Sequence, residues 1–293
     1  MGTAINNKFQ AYYELCKPRV VMLMLLTAFV GMLLATSNYF PWEAVLLGLF
    51  GIGLSACAGC ILNQLIDMRI DKIMARTKKR PLPLGLVSPR QALTLAIGLG
   101  IIGMATLIIF VNGLTALLTF LTLGGYAVIY TIFLKHTTPQ NIVIGGLAGA
   151  MPPLLGWTAI TNHVNYSALL MVLIIFTWTP AHFWALAIAR YEEYQKAAIP
   201  MLPVTHGVYF TRLFVLLYTL LMIAVSLLPF VINMSGLIYL TGAVILGIGF
   251  LYWSIKLYRT GERSVAMKTF YYSIIYLGLL FLLMLVDHLI LLT

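Results

Sequence analysis

The stretch "WEAVLLGLFGIGLSACAGCILNQLIDMRIDKIMARTKKR", residues 42–80, decides the fold. Its first part, 42–65, is an apolar run with one acidic residue, Glu43, at the start. Its last part carries Asp67 and Asp71 among six lysines and arginines. A helix needs about 20 apolar residues to cross the hydrocarbon core, and charge so dense cannot follow it there. The stretch therefore reads as a membrane helix leaving the bilayer at residue 66. Working outward, eight further runs of similar character lie at 18–37, 91–110, 114–134, 141–160, 166–189, 211–232, 236–257 and 269–292. The expected fold is all-α, a polytopic bundle of nine transmembrane helices forming a single domain over 1–293, with 1–17 preceding the first span. The 61% hydrophobic content, 9% charged content and mean hydropathy of +0.98 exclude an ordinary soluble domain.

In a soluble protein a net charge of +10 points toward nucleic acid, so the placement of the basic residues decides its meaning. With nine spans and the N-terminus in the cytoplasm, all 18 Lys and Arg fall on one side. The connections 38–41, 111–113, 161–165 and 233–235 contain none. This is the positive-inside pattern, and it argues against nucleic acid as a partner. Residues 1–17 show neither a signal peptide nor a transit peptide, which makes a bacterial inner membrane the expected location. Three cysteines make no disulfide framework. The pair Cys57 and Cys60 has redox or metal spacing, but its Gly and Ala neighbours suit close helix packing.

The basic side has two long loops, 66–90 and 190–210, and each follows a helix that turns polar in its last turns. Four residues advance a helix by about 40° past a full turn, so Asn63, Asp67 and Asp71 share a face. Lys72, Arg76 and Arg80 repeat the interval beside it, and the helix is expected to run on until Pro81 and Pro83. An amide and two carboxylates are oxygen ligands suited to Mg²⁺ shared with substrate phosphates, with Lys and Arg on the phosphate oxygens. The alternative is charge balance through i, i+4 pairs, which leaves Asn63 without a purpose.

In the second loop Arg190, Glu193 and Tyr194 share a face. Together with "NQLIDMRIDKIMARTKKRPLPLG" (63–85), "YTIFLKHTTPQNIVIGGLAGAMPPLLGW" (130–157), "WTPAHFWALAI" (178–188) and "YQKAAIPMLPV" (194–204), the pattern resembles the UbiA superfamily of intramembrane prenyltransferases. Within it the likeness is to the branch whose acceptor is heme. The resemblance implies a helical bundle around a cavity and Mg²⁺-dependent transfer of a farnesyl group from farnesyl diphosphate to a vinyl group of heme B. The product, heme O, would serve a terminal oxidase, with a heme A synthase or the oxidase as a possible partner.

By the same resemblance Asn63, Asp67, Asp71, Arg190 and Tyr194 are catalytic, with Asn63, Asp67, Asp71 and Glu193 as metal ligands. Arg76, Lys79, Arg80, Lys135 and Lys196 are expected on the diphosphate. His182 and His206 are the candidate heme contacts. Where members with aromatic acceptors carry a second Asp-rich motif, this chain has Arg190-Tyr191-Glu192-Glu193-Tyr194. Tyr126, Tyr130, Trp178 and Phe183 are further rings able to shelter an allylic cation. Pro152 and Pro153 are expected to break the fifth span. Prenylation of a quinone precursor is the nearer rival reading. Secondary transport is the more distant one, since a transporter places its ionisable groups near the midplane rather than at one interface.

Overall fold

The computed structural model describes residues 8–36, 41–75 and 77–291. The chain order is α1 (Lys8–Leu15), α2 (Pro18–Leu34), α3 (Trp42–Ile66), α4 (Met68–Asp71), α5 (Pro89–Phe110) and α6 (Gly113–Gly124). A π-helix over Gly125–Leu134 follows, then α7 (Lys135–Thr137), α8 (Asn141–Ala150), α9 (Pro152–Thr161) and α10 (Tyr166–Ala189). The chain ends with α11 (Tyr191–Lys196), α12 (Leu202–Val231), α13 (Leu237–Thr260) and α14 (Arg263–Leu291). Among the described residues 8 spans are long and apolar enough to cross a membrane, and α1 with α2, bent by 46°, supplies a ninth. The chain is an all-helical, polytopic membrane protein.

The most enclosed span is α10. Its Met171, Ile174, Trp178, Ala181, Trp184 and Ile188 pack against Val215 and Met222 of α12 and Tyr276, Leu280 and Phe281 of α14. By contrast α5 and the α6/π span are the least buried and present Ile101, Ile108, Leu117 and Phe120 outward, as lipid-facing helices do. On the other flank α1 lies across α3, with Leu15 against Ile61, Leu82 and Ala92.

Proline and glycine set the geometry of the fifth span. It breaks at Met151, where Pro152 and Pro153 open α9, because a proline ring cannot continue the preceding helix. The broken half then lies directly against α2: a Cβ on Gly156 would stand 1.9 Å from the Ala28 carbonyl oxygen, and one on Gly31 would stand 2.2 Å from that of Pro153. Only small residues let two membrane helices approach this closely.

The seventh span lies past Gly207, whose φ of 84° separates it from a short helix at 202–206 in the second loop, so it begins close to the expected 211. One expectation is corrected: the helix leaving α3 does not run to Pro81. It stops at Asp71, and residues 72–75 and 77–80 fold into turns held by bonds such as Thr77 N to Met74 O at 3.1 Å and Arg80 N to Thr77 O at 3.0 Å. The physical reason is the ion pair this allows. On a continuous helix Arg80 would stand about 13 Å along the axis from Asp71, whereas the turns bring it to 2.7 Å.

Gly156→Ala should force α2 and α9 apart and lower the unfolding temperature in detergent, as overpacking of about 1–3 kcal/mol does. Gly98→Ala, where an added Cβ meets nothing within 4 Å, should leave it unchanged.

Candidate functional site

Asn63, Asp67 and Asp71 remain in helical register across the end of α3, since Asp67 N donates to Asn63 O at 3.0 Å and Asp71 N to Asp67 O at 2.9 Å. All three are buried, at 5%, 3% and 3% exposure. Buried carboxylates need opposite charge or donors, and the two receive it from different places. Lys135 Nζ lies 2.6 Å from Asp67 Oδ2, which also accepts from Asn63 Nδ2 at 3.0 Å. Arg80 donates to Asp71 Oδ2 at 2.7 Å. Thr77 Oγ1 caps the Asp71 carbonyl at 3.1 Å and so anchors the turn that returns Arg80.

The π-helix is what delivers Lys135. It starts at the Gly124-Gly125 pair, and Thr131 Oγ1 donates to the Tyr126 carbonyl, five residues back, at 2.8 Å. Wider turns of this kind are uncommon and tend to mark functional sites. Here they place Thr131 Oγ1 3.4 Å from Asn63 Nδ2, and Lys135 follows within the next turn. Tyr126 and Tyr130 stack at 5.7 Å, and a Cβ on Gly145 of α8 would lie 2.1 Å from the Tyr130 ring, so the glycine gives that ring its room.

The second loop meets the first through apolar contact. Tyr194, Ile199 and Met201 pack with Met74, Ile142 and Ala187. Arg190 pairs with Glu193 at 2.5 Å, and Glu192 pairs with Arg263 of α14 at 2.6 Å. The Arg263 guanidinium beside Glu192 holds that exposed carboxyl below its ordinary value. Glu193 therefore faces Arg190 rather than joining the two aspartates, and among the described residues no three His, Cys, Asp or Glu side chains form a metal-holding group. Lys79 and Lys196 are exposed and make no bond to Asp67 or Asp71. Arg76 lies outside the described residues.

His182 is deeper, on α10. Its ring is stacked between Trp178, at 4.2 Å, and Phe270, at 4.5 Å. Its Nδ1 lies 2.6 Å from Ser273 Oγ, whose single proton goes to the Phe270 carbonyl at 2.6 Å. The hydroxyl thus accepts from Nδ1–H, which leaves Nε2 as the lone-pair nitrogen. His206 is exposed at the start of α12, bonded to Thr205 and stacked on Phe210, apart from the His182 group.

Sequence reasoning missed three participants. Thr131 and Ser273 are short hydroxyls among many in the chain, without a pattern to distinguish them. Lys17 was counted only toward topology, yet it donates to Asn63 Oδ1 at 2.7 Å. As a cation site the oxygen set fits: Asp67 Oδ1 is buried without a hydrogen-bond partner, and two carboxylates with an amide leave room for water and substrate oxygens.

A buried, oxygen-rich stripe under lysine and arginine thus lies at one end of an all-helical membrane bundle, an arrangement suited to an enzyme site. The UbiA prenyltransferase family model matches residues 24–285, and the chain belongs to that family. It is 62% identical over 277 residues to the protoheme IX farnesyltransferase of Legionella pneumophila (strain Lens), covering 94% of each chain. It is 58% identical over 282 residues to the protoheme IX farnesyltransferase of Thioalkalivibrio sulfidiphilus, covering 96% of this chain and 93% of the other. Among solved structures it is similar to a digeranylgeranylglyceryl phosphate synthase, with TM-score 0.80 at 20% identity over 96% and 98% of the two chains. A UbiA homolog from Archaeoglobus fulgidus bound to DMAPP and Mg²⁺ matches with TM-score 0.68 at 18% identity over 93% and 98%. These two structural likenesses concern the fold.

Lys135→Met should strand the Asp67 carboxylate and cost about 3–5 kcal/mol, the usual penalty for breaking one side of a buried pair. Adding Asp67→Asn should restore part of the loss, and additive losses in a double-mutant cycle of unfolding temperatures would refute the coupling.

Proposed function

We propose that this chain transfers a farnesyl group from farnesyl diphosphate to a vinyl group of heme B, with addition of water, giving heme O for a terminal oxidase. The observation that carries the reading is the buried Asn63, Asp67 and Asp71 stripe facing Lys135 and Arg80, in a chain 62% identical to a protoheme IX farnesyltransferase.

The hard step is heterolysis of an allylic C–O bond, which loads negative charge on the diphosphate, so catalysis is chiefly electrostatic. Asn63, Asp67 and Asp71 would hold Mg²⁺, which when bound neutralises that charge. Lys135 and Arg80 each commit one donor to a carboxylate. An ammonium has three donors and a guanidinium five, so both keep donors for phosphate oxygens without leaving the aspartates bare. Arg190, steered by Glu193, is a third diphosphate ligand, and Tyr194 closes the site by seating on Met74. Lys79 and Lys196, both exposed, draw the anion in at longer range, and Arg76 is a further diphosphate contact by the family resemblance. Tyr126 and Tyr130 offer ring faces to the developing cation. His182 offers Nε2 to the heme, with Ser273 holding the ring as an orienting partner; His206 is a surface contact for the propionate edge. The basic face, with the N-terminus, lies in the cytoplasm of a bacterial inner membrane, where the positive-inside bias puts it.

Purified protein in detergent, given heme B, farnesyl diphosphate and Mg²⁺, should yield a farnesylated heme by mass spectrometry; prenylation of 4-hydroxybenzoate instead would overturn the acceptor. Asp67→Asn should lower turnover by about 10²-fold or more while the protein still folds, and unchanged turnover would remove the metal role. His182→Ala should shift the bound-heme absorption spectrum, and an unaltered spectrum would return the residue to packing.

A further inference from the structure

Lys17 sits in the break between α1 and α2, one residue before Pro18, and its placement is unlike that of a lysine serving topology alone. Its backbone is left-handed, φ 50° and ψ 58°, a region that residues with a Cβ seldom adopt and that the following proline disfavours further. The strain is held in place from α3. Gln64 Nε2 donates to the Leu15 carbonyl at 2.6 Å, and Leu15 is fully buried against the α3 side. The lysine is thereby forced out of the helix path beside the residue that precedes Gln64, where its ammonium donates to Asn63 Oδ1 at 2.7 Å. A lysine that only marks the membrane edge extends toward water and needs no strained backbone.

Charge supplies the second observation. Asp67 and Asp71 are matched by Lys135 and Arg80. Lys17 joins the same group through Asn63, whose amide nitrogen is bonded to Asp67, yet the hydrogen bond of the ammonium goes to the neutral amide oxygen. The group thus holds three cations against two carboxylates, and the excess lies on Lys17. A divalent cation on the aspartates would enlarge that excess, so the missing counter-charge is an anion.

We propose that Lys17 is a further diphosphate-binding residue, parked on Asn63 Oδ1 until substrate arrives. An ammonium and a divalent cation repel each other when both sit on one amide oxygen, so Lys17 and a cation compete for it. With a cation held by Asn63, Asp67 and Asp71, the Lys17 ammonium would leave Asn63 Oδ1 for the phosphate oxygens and add a charge-assisted bond to the leaving group. The inference rests on the prenyl-diphosphate reading of the site above.

Lys17→Gly separates the ligand role from a structural one, because glycine accepts a positive φ without strain. The probe is inorganic pyrophosphate with Mg²⁺, read as a rise in unfolding temperature of the full-length protein in detergent. For Lys17→Gly the unfolding temperature without ligand should equal or exceed that of the wild type. Its pyrophosphate affinity should fall about 10- to 100-fold, as loss of one charged hydrogen bond implies. KM for farnesyl diphosphate should rise with it, while the bound-heme spectrum stays unchanged. Lys17→Arg should recover part of the affinity. Wild-type pyrophosphate affinity in Lys17→Gly, or a variant that unfolds earlier without ligand, would overturn the assignment of Lys17 alone. Absence of any pyrophosphate response in the wild type would overturn the diphosphate reading and Lys17 with it.

Discussion

Two carboxylates buried at the edge of a membrane bundle constrain everything around them. An isolated charge in such surroundings is prohibitively costly, so Asp67 and Asp71 exist only because the fold brings cations to them. That demand ends α4 at Asp71, since only a chain that turns back returns Arg80 to its partner. It also gives the π-helix its purpose, because the wider turns carry Thr131 and Lys135 to Asn63 and Asp67. Even the first helix yields to the site: it breaks in a left-handed lysine, and the ammonium comes to rest on Asn63.

A buried aspartate does not by itself mark a reactive site, as Asp287 near the end of α14 demonstrates. It is equally buried, but it accepts from the backbone N–H groups of Gly236 and Tyr239 and so caps the start of α13. Backbone donors at a helix N-terminus are fixed, and the cap locks two spans together. Lys135, Arg80 and Lys17 are side-chain cations that retain donors after satisfying their protein partners. The first arrangement is saturated, whereas the second has capacity for an anion.

The spans were legible because hydrophobic run length answers to a single quantity, the bilayer thickness. The expected spans lie close to their observed positions: α12 continues past Gly207 near the expected 211, after a short helix that the glycine sets off, and the largest offset is α14, which starts at Arg263 rather than 269. The Asn63, Asp67 and Asp71 stripe was equally legible, because helical register is local. What was not legible was the partner of each group. Arg80 read as the third member of a helical repeat, Glu193 as a metal ligand and Lys17 as a topology marker. In each case the assignment depends on a turn, a salt bridge or a helix break that local spacing does not encode.

Sequence alone therefore determined the membrane architecture, the basic face and the shared face of Asn63, Asp67 and Asp71, all of which follow from run length, charge and 3.6-residue periodicity. Only the tertiary structure decided which cation neutralises which carboxylate, that Ser273 leaves His182 Nε2 as the lone-pair nitrogen, and that Lys17 belongs with the site. Most of those choices join residues 46 or more positions apart, up to 91, and even Arg80 and Asp71, 9 apart, meet only through a turn; such pairings are set by how the chain turns and the helices pack.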